Sequence, residues 1–470
     1  MKRIAAWLRD RLEGLIVLAL LPPWLAVAAL VVAAGVLRGG APAATLARAG
    51  SGLRRLLCFV AQGLRSLRES WWVVFKLESA WSIWRCLLML EWFGLRNIAS
   101  PPRTGAPADR VLVVKLSHVG DLLHTVPLLR ALREARPSAR IHLMVGPWCE
   151  SVARRIPYVD GLVVYAPRFE QFDRGQRTRS LPLARETVFL GKLRREAYDW
   201  VITPEPTHPA VLLVAHALRP ALWVGVAPET GLYPAPFEKR FSPPNRAQYQ
   251  AEWMLGLLRS IGIEHRDTRL EFWLQPEERA FAETTRAALP GDRDRPVVLL
   301  APGAGWVGKQ WNDARHAAVA DELARRHGAR VVIVGSPPER DLALRIERGA
   351  ASALTNLAGG TTLGQLAALI AGADLLIGSD SAAIHFAAAF DTPSVALFGP
   401  TTPDIWAPRG TGHVTICRND SCRDCWSWHP RATCAKNGWC MNLISVEEVV
   451  GAEDTLLRQR RTGAGKAVRV

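Results

Sequence analysis

The chain has 470 residues, enough for two or three domains, and its 49% hydrophobic and 22% charged residues suit a globular protein with some membrane character. Its eight cysteines are not arranged as the framework of a small secreted domain. The net charge of +16 lies largely beside apolar segments and on no recognisable nucleic-acid motif, so we expect no nucleic-acid partner.

The N-terminal part is basic and rich in tryptophan. Residues 1–110 hold 15 Lys or Arg against six Asp or Glu, and seven of the 18 Trp, which predicts contact with an anionic membrane surface. Residues 15–37 run for 23 residues without a charge, which is long enough to span a bilayer. Three interpretations stay open: a transmembrane anchor, a re-entrant hairpin broken at Pro22-Pro23, or a signal peptide cleaved near Ala41-Pro42-Ala43.

Residues 53–96 mix Arg, Trp and Leu at helical spacing, with charges too frequent for a membrane span. We expect helices that lie in the membrane interface, with basic side chains near the lipid headgroups at Arg65, Arg68, Lys76 and Arg85. The alternative is a soluble amphipathic helical pair packed on the next domain. A proline-rich linker follows at residues 100–107.

From Arg110 onward, apolar strands alternate with helical segments, and this rhythm restarts near residues 272–295. It predicts doubly wound parallel sheets in two successive α/β units, with residues 228–250 forming a loop-rich stretch. Predicted helices include 122–137, 313–327 and 382–390. The predicted divisions are a membrane-associated helical region (1–100), an N-terminal Rossmann-like domain (101–285), a C-terminal Rossmann-like domain (286–450) and a basic tail (451–470).

A glycine-rich loop follows the first predicted strand of the second unit. Pro302, Gly303, Gly305 and Gly308 keep this stretch out of a helix, and Lys309 adds a positive charge beside backbone N–H groups. The loop can therefore bind phosphate. An ordinary strand-to-helix connection with an exposed lysine would have the same sequence features.

Two more turns lie where predicted strands end, which is where open α/β sheets bind ligands. In Ser117–Asp121, Asp121 is either a helix cap or a general base that faces a cleft between domains. In Gly378–Ser381, the residues also suit capping, but the following helix can offer its N-terminal amides to a diphosphate. Asp380 would repel phosphate, so we expect it to bind sugar hydroxyls. His385 either donates to a phosphate oxygen or is simply buried.

The chain from about residue 110 to 450 resembles glycosyltransferase family 9, the ADP-heptose:lipopolysaccharide heptosyltransferases. The resemblance rests on five blocks in the same order: VLVVKLSHVGDLLHTVPLLRALR, APGAGWVGKQW, VVIVGSPPE, ADLLIGSDSAAIHFAAAFDTPSVALFGPT and the tail CRDCW to CAKNGWCMNLISVEEV. It implies the GT-B fold, in which two Rossmann-like domains face a cleft. The donor would lie mainly on the second domain and the acceptor on the first.

The resemblance also implies roles for individual residues. Asp121 would be the general base of an inverting transfer, and Lys309 would stabilise the departing diphosphate. Glu339 would hold the ribose and Asp380 the sugar hydroxyls. No metal or other cofactor is then expected, since lysine and helix amides carry the charge. The full implied donor-binding set is Ser117, Gly120, Gly303, Ala304, Gly305, Trp306, Glu339, Asp380, Ser381, Ala382, His385 and Thr401.

The expected activity is transfer of a sugar to a lipid-linked glycan such as a lipopolysaccharide core, with ADP-heptose as the best guess for the donor. We expect the reaction to take place at the cytoplasmic face of a bacterial inner membrane. The donor sugar stays open, because Gly305 stands where many members have Ser or Thr and Ala382 where they often have Gly. The alternatives are another nucleotide-sugar and acceptor, or a catalytically silent membrane scaffold. A dinucleotide oxidoreductase is disfavoured, because the turn after Leu116 lacks the glycine triplet.

Five cysteines crowd into the segment Cys417–Cys440. A zinc site built from Cys422, Cys425, Cys434 and Cys440 is conceivable. A structural thiol cluster in a reducing compartment is the preferred interpretation.

Overall fold

The structure is a computed structural model that describes residues 109–166, 183–204, 209–218, 220–226, 239–241, 248–418 and 439–461. The predicted membrane segment at 15–37, the predicted interfacial helices at 53–96 and the central cysteines of the tail lie outside the described residues. Within the described ranges, every helix is too short or too polar to cross a membrane.

The first half of the described chain is built on a six-stranded parallel sheet with the order β3-β2-β1-β4-β5-β6. This is the strand order of dinucleotide-binding folds, whose ligands bind beyond the carboxyl ends of the strands where the order reverses. Here that point lies between the first and fourth strands. The strands are β1 (Arg110–Lys115), β2 (Arg140–Val145), β3 (Gly161–Val164), β4 (Trp200–Thr203), β5 (Leu222–Val226) and β6 (Lys239–Phe241).

The second half repeats this arrangement in a sheet with the order β12-β11-β10-β7-β8-β9. Its reversal point lies between β7 and β10. All five residues of β7 are buried, as expected for an apolar strand covered by helices on both faces. The strands are β7 (Val297–Ala301), β8 (Arg330–Ile333), β9 (Thr355–Asn356), β10 (Leu375–Ser379), β11 (Ser394–Phe398) and β12 (His413–Cys417).

The described helices connect and cover these sheets, and local signals set their ends. The helix that begins at Asp313 has Asn312 as its cap, which accepts from the Arg315 N–H, and it stops at Gly328, whose φ of 60° suits glycine. The helices are α1 (Val119–Ala135), α2 (Glu150–Ala153), α3 (Leu183–Arg195), α4 (Pro209–Leu218), α5 (Gln250–Arg259), α6 (Pro276–Ala288), α7 (Asp313–His327), α8 (Arg340–Gly349), α9 (Leu363–Ala371), α10 (Ala382–Ala389), α11 (Pro403–Trp406), α12 (Trp439–Asn442) and α13 (Val446–Arg461).

The two halves share a continuous apolar core. α1 packs against α5 on one side and against α10 of the second half on another, so it is buried along most of its length. Phe272, between α5 and α6, packs edge-on against Phe386 with ring centroids 4.9 Å apart. Arg155 donates to both carboxylate oxygens of Glu278, each at 2.6 Å. These contacts place the carboxyl edges of the two sheets close to each other.

The predicted parallel α/β architecture is confirmed, and helix 313–327 has the predicted bounds. Helix α1 begins at Val119, earlier than the predicted residue 122, so Asp121 lies in its first turn. The predicted loop-rich stretch 228–250 holds one short described strand, β6. Residues 451–461 of the predicted basic tail belong to α13. Leu456 and Leu457 of that helix are buried in the core of the second half.

Candidate functional site

Asp121 lies in the first turn of α1, just beyond the carboxyl end of β1. Its Oδ2 accepts a hydrogen bond from the backbone N–H of His118 at 3.2 Å, and its side chain remains 21% exposed. The preceding loop is fixed by the carbonyl of Ser117, which accepts from Nε1 of Trp148 at 2.7 Å. Asp121 therefore caps the helix while its carboxylate still reaches solvent.

The charge state of Asp121 follows from its neighbours. Burial by itself would raise the pKa of this carboxyl, but the hydrogen bond from His118 and the positive charge of Lys115 outweigh it. The net pKa lies far below the ordinary value, so Asp121 is a carboxylate at every physiological pH. Lys115 is itself only 2% exposed and lies at the end of β1.

Lys309 and Asp380 meet at the facing edge of the second sheet. Nζ of Lys309 lies 2.8 Å from Oδ2 of Asp380, with the two side chains 16% and 7% exposed. The hydroxyl of Thr401 donates to the same oxygen at 2.7 Å. Burial would raise the pKa of Asp380, but the charge of Lys309 and its hydrogen bond keep it lowered. The result is a largely buried ion pair beside the start of α10.

The loop after β7 also touches Glu339, which ends a 3-10 turn after β8. A side-chain carbon added to Gly303 would lie 2.1 Å from the Glu339 carboxyl carbon, so any larger residue here would displace the Glu339 carboxylate. Glu339 also accepts from the N–H of Ser336 at 2.6 Å. The ring of Trp306 leans over Gly308 in the same loop. Ala304 is buried and Gly305 is partly exposed.

His385 brings the two halves into direct contact. It lies in the first turns of α10, after Ser381 and Ala382, and its Nε2 is 4.0 Å from Oδ1 of Asp380. A side-chain carbon on Gly120 would lie 2.5 Å from Cδ2 of His385, so this glycine permits α1 and α10 to approach. Gly120 of the first half therefore lies against His385, and His385 in turn lies 4.0 Å from Asp380 of the Lys309–Asp380 pair.

Two residues at the site escaped the sequence analysis. His124 follows Asp121 by three residues, which places it on the same helix face, and its Nε2 lies 3.2 Å from Nδ1 of His385. Lys115 ends β1. The i+3 spacing from Asp121 is the signal that would have found His124, but in the sequence it stands inside an apolar helix. Nothing in the sequence distinguished Lys115 from other basic residues at strand ends.

Within the described part of the chain, no group of three or more His, Cys, Asp or Glu side chains could hold a metal ion. Of the five clustered cysteines, Cys417 and Cys440 are described, the first partly exposed and the second buried. Cys422, Cys425 and Cys434 lie outside the described residues.

The arrangement suits a group transfer between two bound molecules. A carboxylate on one half can take a proton, while a lysine and a helix N-terminus on the other half can meet negative charge. The two sets lie at the reversal points of the two sheets, where such folds bind ligands.

Comparison with known proteins identifies the family of this chain. The family model described as glycosyltransferase family 9 (heptosyltransferase) matches residues 188–435. Lipopolysaccharide heptosyltransferase 2 of Salmonella typhimurium is 27% identical over 324 residues, which cover 64% of this chain and 85% of that one. Lipopolysaccharide heptosyltransferase 1 of Pseudomonas aeruginosa is 28% identical over 330 residues, with coverages of 67% and 86%.

Solved structures share the fold. A glycosyltransferase family 9 protein from Veillonella parvula has a TM-score of 0.61 at 22% identity, covering 75% of this chain and 97% of its own. The E. coli ADP-heptose lipopolysaccharide heptosyltransferase II has a TM-score of 0.58 at 22% identity, with coverages of 75% and 99%. Since the family model covers more than half of the chain, this protein is a glycosyltransferase that belongs to family 9, the heptosyltransferase family.

Proposed function

We propose that this glycosyltransferase transfers heptose from ADP-heptose to a lipid-linked glycan of the lipopolysaccharide-core type, with inversion at the anomeric carbon. The relatives are named lipopolysaccharide heptosyltransferases, and one similar structure is that of an E. coli heptosyltransferase with ADP. The observation that carries the proposal is that Asp121 of one half and the Lys309–Asp380 pair of the other all lie close enough to His385 to influence its charge state.

Asp121 would act as the general base. The acceptor hydroxyl attacks the anomeric carbon, its proton passes to the Asp121 carboxylate, and the bond from that carbon to the diphosphate breaks. Because the pKa of Asp121 is strongly lowered, the carboxylate is a weak base. It would therefore take the proton late, when the new glycosidic bond has formed enough to acidify the hydroxyl.

Lys309 would stabilise the leaving ADP. In the structure its ammonium group is held by Asp380, which fixes it beside the N-terminus of α10. As the donor bond breaks, negative charge grows on the diphosphate, and a pre-positioned lysine interacts with it without reorganisation. The buried Asp380 would meanwhile accept hydrogen bonds from sugar hydroxyls, and Glu339 would contact the ribose.

The basic, Trp-rich region before residue 110 supports the proposed lipid-linked acceptor and the proposed location of the enzyme. Such a region would hold the protein on the anionic cytoplasmic face of a bacterial inner membrane, where a lipid-linked acceptor is concentrated. A segment like residues 15–37 would add a salt-resistant anchor if it spans or re-enters the bilayer.

The substitution Asp121→Asn tests the base. Asn keeps an oxygen that can accept from the His118 N–H, so the start of α1 is preserved while the proton acceptor is lost. We expect kcat for ADP release with acceptor present to fall by roughly 10²–10⁴ while ADP-heptose binding stays within about threefold. Asp313→Asn, in the first turn of α7, is the matched control. Near-normal turnover, or loss of donor binding, would refute the assignment.

A panel of nucleotide-sugars tests the donor. ADP-heptose should be transferred at least about tenfold faster, in kcat/KM, than ADP-glucose, UDP-glucose or GDP-mannose. Preference for another sugar with the same dependence on Asp121 would replace the donor and keep the mechanism. Transfer that is independent of Asp121 would refute the mechanism itself.

A further inference from the structure

A pair of buried histidines joins the two halves beside the site. His124 is 0% exposed and His385 is 4% exposed, and their facing nitrogens, Nε2 and Nδ1, are 3.2 Å apart. Burial lowers the pKa of both rings; the charge of His385 lowers the pKa of His124 further, and the charge of Asp380 opposes the lowering at His385. Both rings are therefore neutral at physiological pH.

Aromatic neighbours and a glycine hold the pair in place. The ring of His124 meets Tyr249 edge-on at 5.2 Å between centroids and Trp406 at 5.8 Å. Gly120 lies against the ring of His385, where any side chain would collide with it. The two rings therefore have little freedom to rearrange. Which ring donates the hydrogen bond and which accepts it depends on the partners available to their other nitrogens.

Two neutral rings at this distance share one hydrogen, so one nitrogen donates and the other accepts. If His385 donated from Nδ1, its bare Nε2 would turn a lone pair toward Oδ1 of Asp380, 4.0 Å away. His124 would then carry its hydrogen on Nδ1, a buried atom with no hydrogen-bond partner among the described residues. A buried donor without a partner and a lone pair facing a carboxylate both cost free energy.

The opposite polarity avoids both costs. His124 donates from Nε2, and His385 accepts at Nδ1 and carries its own hydrogen on Nε2, directed toward the Asp380 carboxylate. Only an acceptor nitrogen, Nδ1 of His124, then lacks a partner in the described part of the chain. The cost of this unpartnered acceptor is offset by the electrostatic attraction between the Nε2–H of His385 and the Asp380 carboxylate 4.0 Å away.

We propose that His124 is a positioning residue that donates to His385 across the contact between the halves and holds it in the tautomer with the hydrogen on Nε2. This rests on the proposed function, which takes the surroundings of Asp380 as the donor site. In that tautomer His385 offers a hydrogen-bond donor to a phosphate or sugar oxygen of a nucleotide-sugar. Because His124 belongs to the first half and His385 to the second, His124 fixes the tautomer of His385 only when the two halves are in contact.

The direct test is the tautomer of His385 in the full-length protein. Solid-state NMR of the ¹⁵N-histidine-labelled chain separates protonated from bare ring nitrogens, and a His385→Ala sample identifies the His385 signals. We expect Nε2 protonated and Nδ1 bare in the wild type. The hydrogen on Nδ1 instead would overturn the proposal. This readout needs no activity, so it decides the proposal even if ADP-heptose is not the donor.

Two substitutions test whether His124 sets that state. The amide of His124→Gln can reach the position of Nε2 and donate to His385, whereas His124→Leu fills a similar volume without a donor. We expect kcat/KM for the donor to fall about tenfold or more in His124→Leu, with loss of the single tautomer, and to stay within about threefold in His124→Gln.

The matched control is His316→Leu, which removes another fully buried histidine, one that packs on Trp311 in the second half. It should leave the His385 signals and donor turnover unchanged. If His124→Leu folds with an unchanged His385 spectrum, or if His124→Gln loses as much activity as His124→Leu, the positioning role is refuted.

Discussion

Lys309 and Asp380 form an ion pair with each other in the absence of substrate. Each is largely buried, and a buried charge without a partner costs several kcal/mol, so the pair keeps both side chains ionised where the donor would bind. In the proposed function, a diphosphate would be a second partner for Lys309. The hydroxyl of Thr401, which donates to Asp380, would continue to orient this carboxylate.

Lys309→Met should therefore damage both stability and turnover. It leaves Asp380 as a buried charge with Thr401 and a neutral His385 as its described neighbours, which we expect to cost about 3–5 kcal/mol of unfolding free energy. Loss of charge stabilisation should lower kcat by roughly 10² or more. Urea unfolding and donor turnover measure the two effects.

The double substitution Lys309→Met with Asp380→Asn separates them. Removing both charges should restore most of the unfolding free energy, because no buried charge is left unpaired. It should not restore kcat. Recovery of turnover in the double variant would show that Lys309 acts only by neutralising Asp380.

The sequence analysis singled out site residues that lie in turns, such as Lys309 and Asp380, but it missed His124, which lies inside a helix. Lys309 and Asp380 follow glycine-punctuated strand ends, and the position of such turns at a sheet edge is a general property of the fold. His124 looks like a core residue of an apolar helix. Its importance comes from α10, a helix more than two hundred residues away in sequence, and no local pattern reports that contact.

Among the elements, α13 differs most from its prediction. The prediction for residues 451–470 was a basic tail. Arg458 of this helix is exposed, but Val449, Val450, Leu456 and Leu457 face the second sheet. Glu453 lies on the same buried face, fully shielded from solvent. Neither of its carboxyl oxygens has a hydrogen-bond partner among the described residues.

Glu453 should make stability fall with rising pH. Burial raises its pKa from the ordinary 4.5 to about 8, so between these values the folded state holds a proton that the unfolded state releases. Stability is then full below about pH 4.5 and declines through the window up to pH 8. Glu453→Gln removes this loss, and we expect a gain on the order of 1–3 kcal/mol at pH 8 with little gain at pH 5.

Thermal unfolding at the two pH values measures this difference. Glu447→Gln, on the exposed side of the same helix, is the matched control and should show no such pH-dependent gain. An equal gain at both pH values would mean that Glu453 is not the source of the pH dependence.

The sequence analysis also did not predict strands β5, β6 and β12, of which β6 and β12 lie at sheet edges. β6 has three residues within a proline-rich stretch, and β12 follows a turn without a long apolar run. Each of these two strands pairs with only one neighbouring strand and lies at the edge of its sheet. Edge strands are often short and less apolar than central strands, so their hydrophobic pattern in the sequence is weak. The central strands β1 and β7 were predicted because both of their faces are buried.

The whole described molecule is two sheets of the same order joined by one core, and the repeated βα rhythm was enough to predict that duplication. How closely the halves approach was not predictable from rhythm, because it depends on single contacts such as Gly120 against His385 and Arg155 against Glu278. The membrane-associated region remains a sequence-based prediction, and the position of its boundary near residue 100 can be tested on the intact enzyme.

Deleting residues 1–100 should release the enzyme from membranes. We expect the full chain to sediment with vesicles containing anionic lipid even after a high-salt wash, since an apolar anchor is not screened by salt as surface charges are. The shortened chain should stay in the supernatant and keep its activity on a detergent-solubilised acceptor. A shortened chain that still sediments would place the membrane attachment after residue 100.

The shared strand order also has a consequence for synthesis of the chain. In each sheet the central strand is synthesised first, and one of the two strands that pair with it is synthesised much later. In the second sheet, β7 begins at Val297 and its partner β10 begins at Leu375. At about 5–20 residues per second, β7 waits several seconds with one edge unpaired. Leu456 and Leu457, which cover the second sheet, emerge later still. During synthesis the second half therefore exposes an incomplete, apolar sheet to which a chaperone can bind, until α13 packs against it.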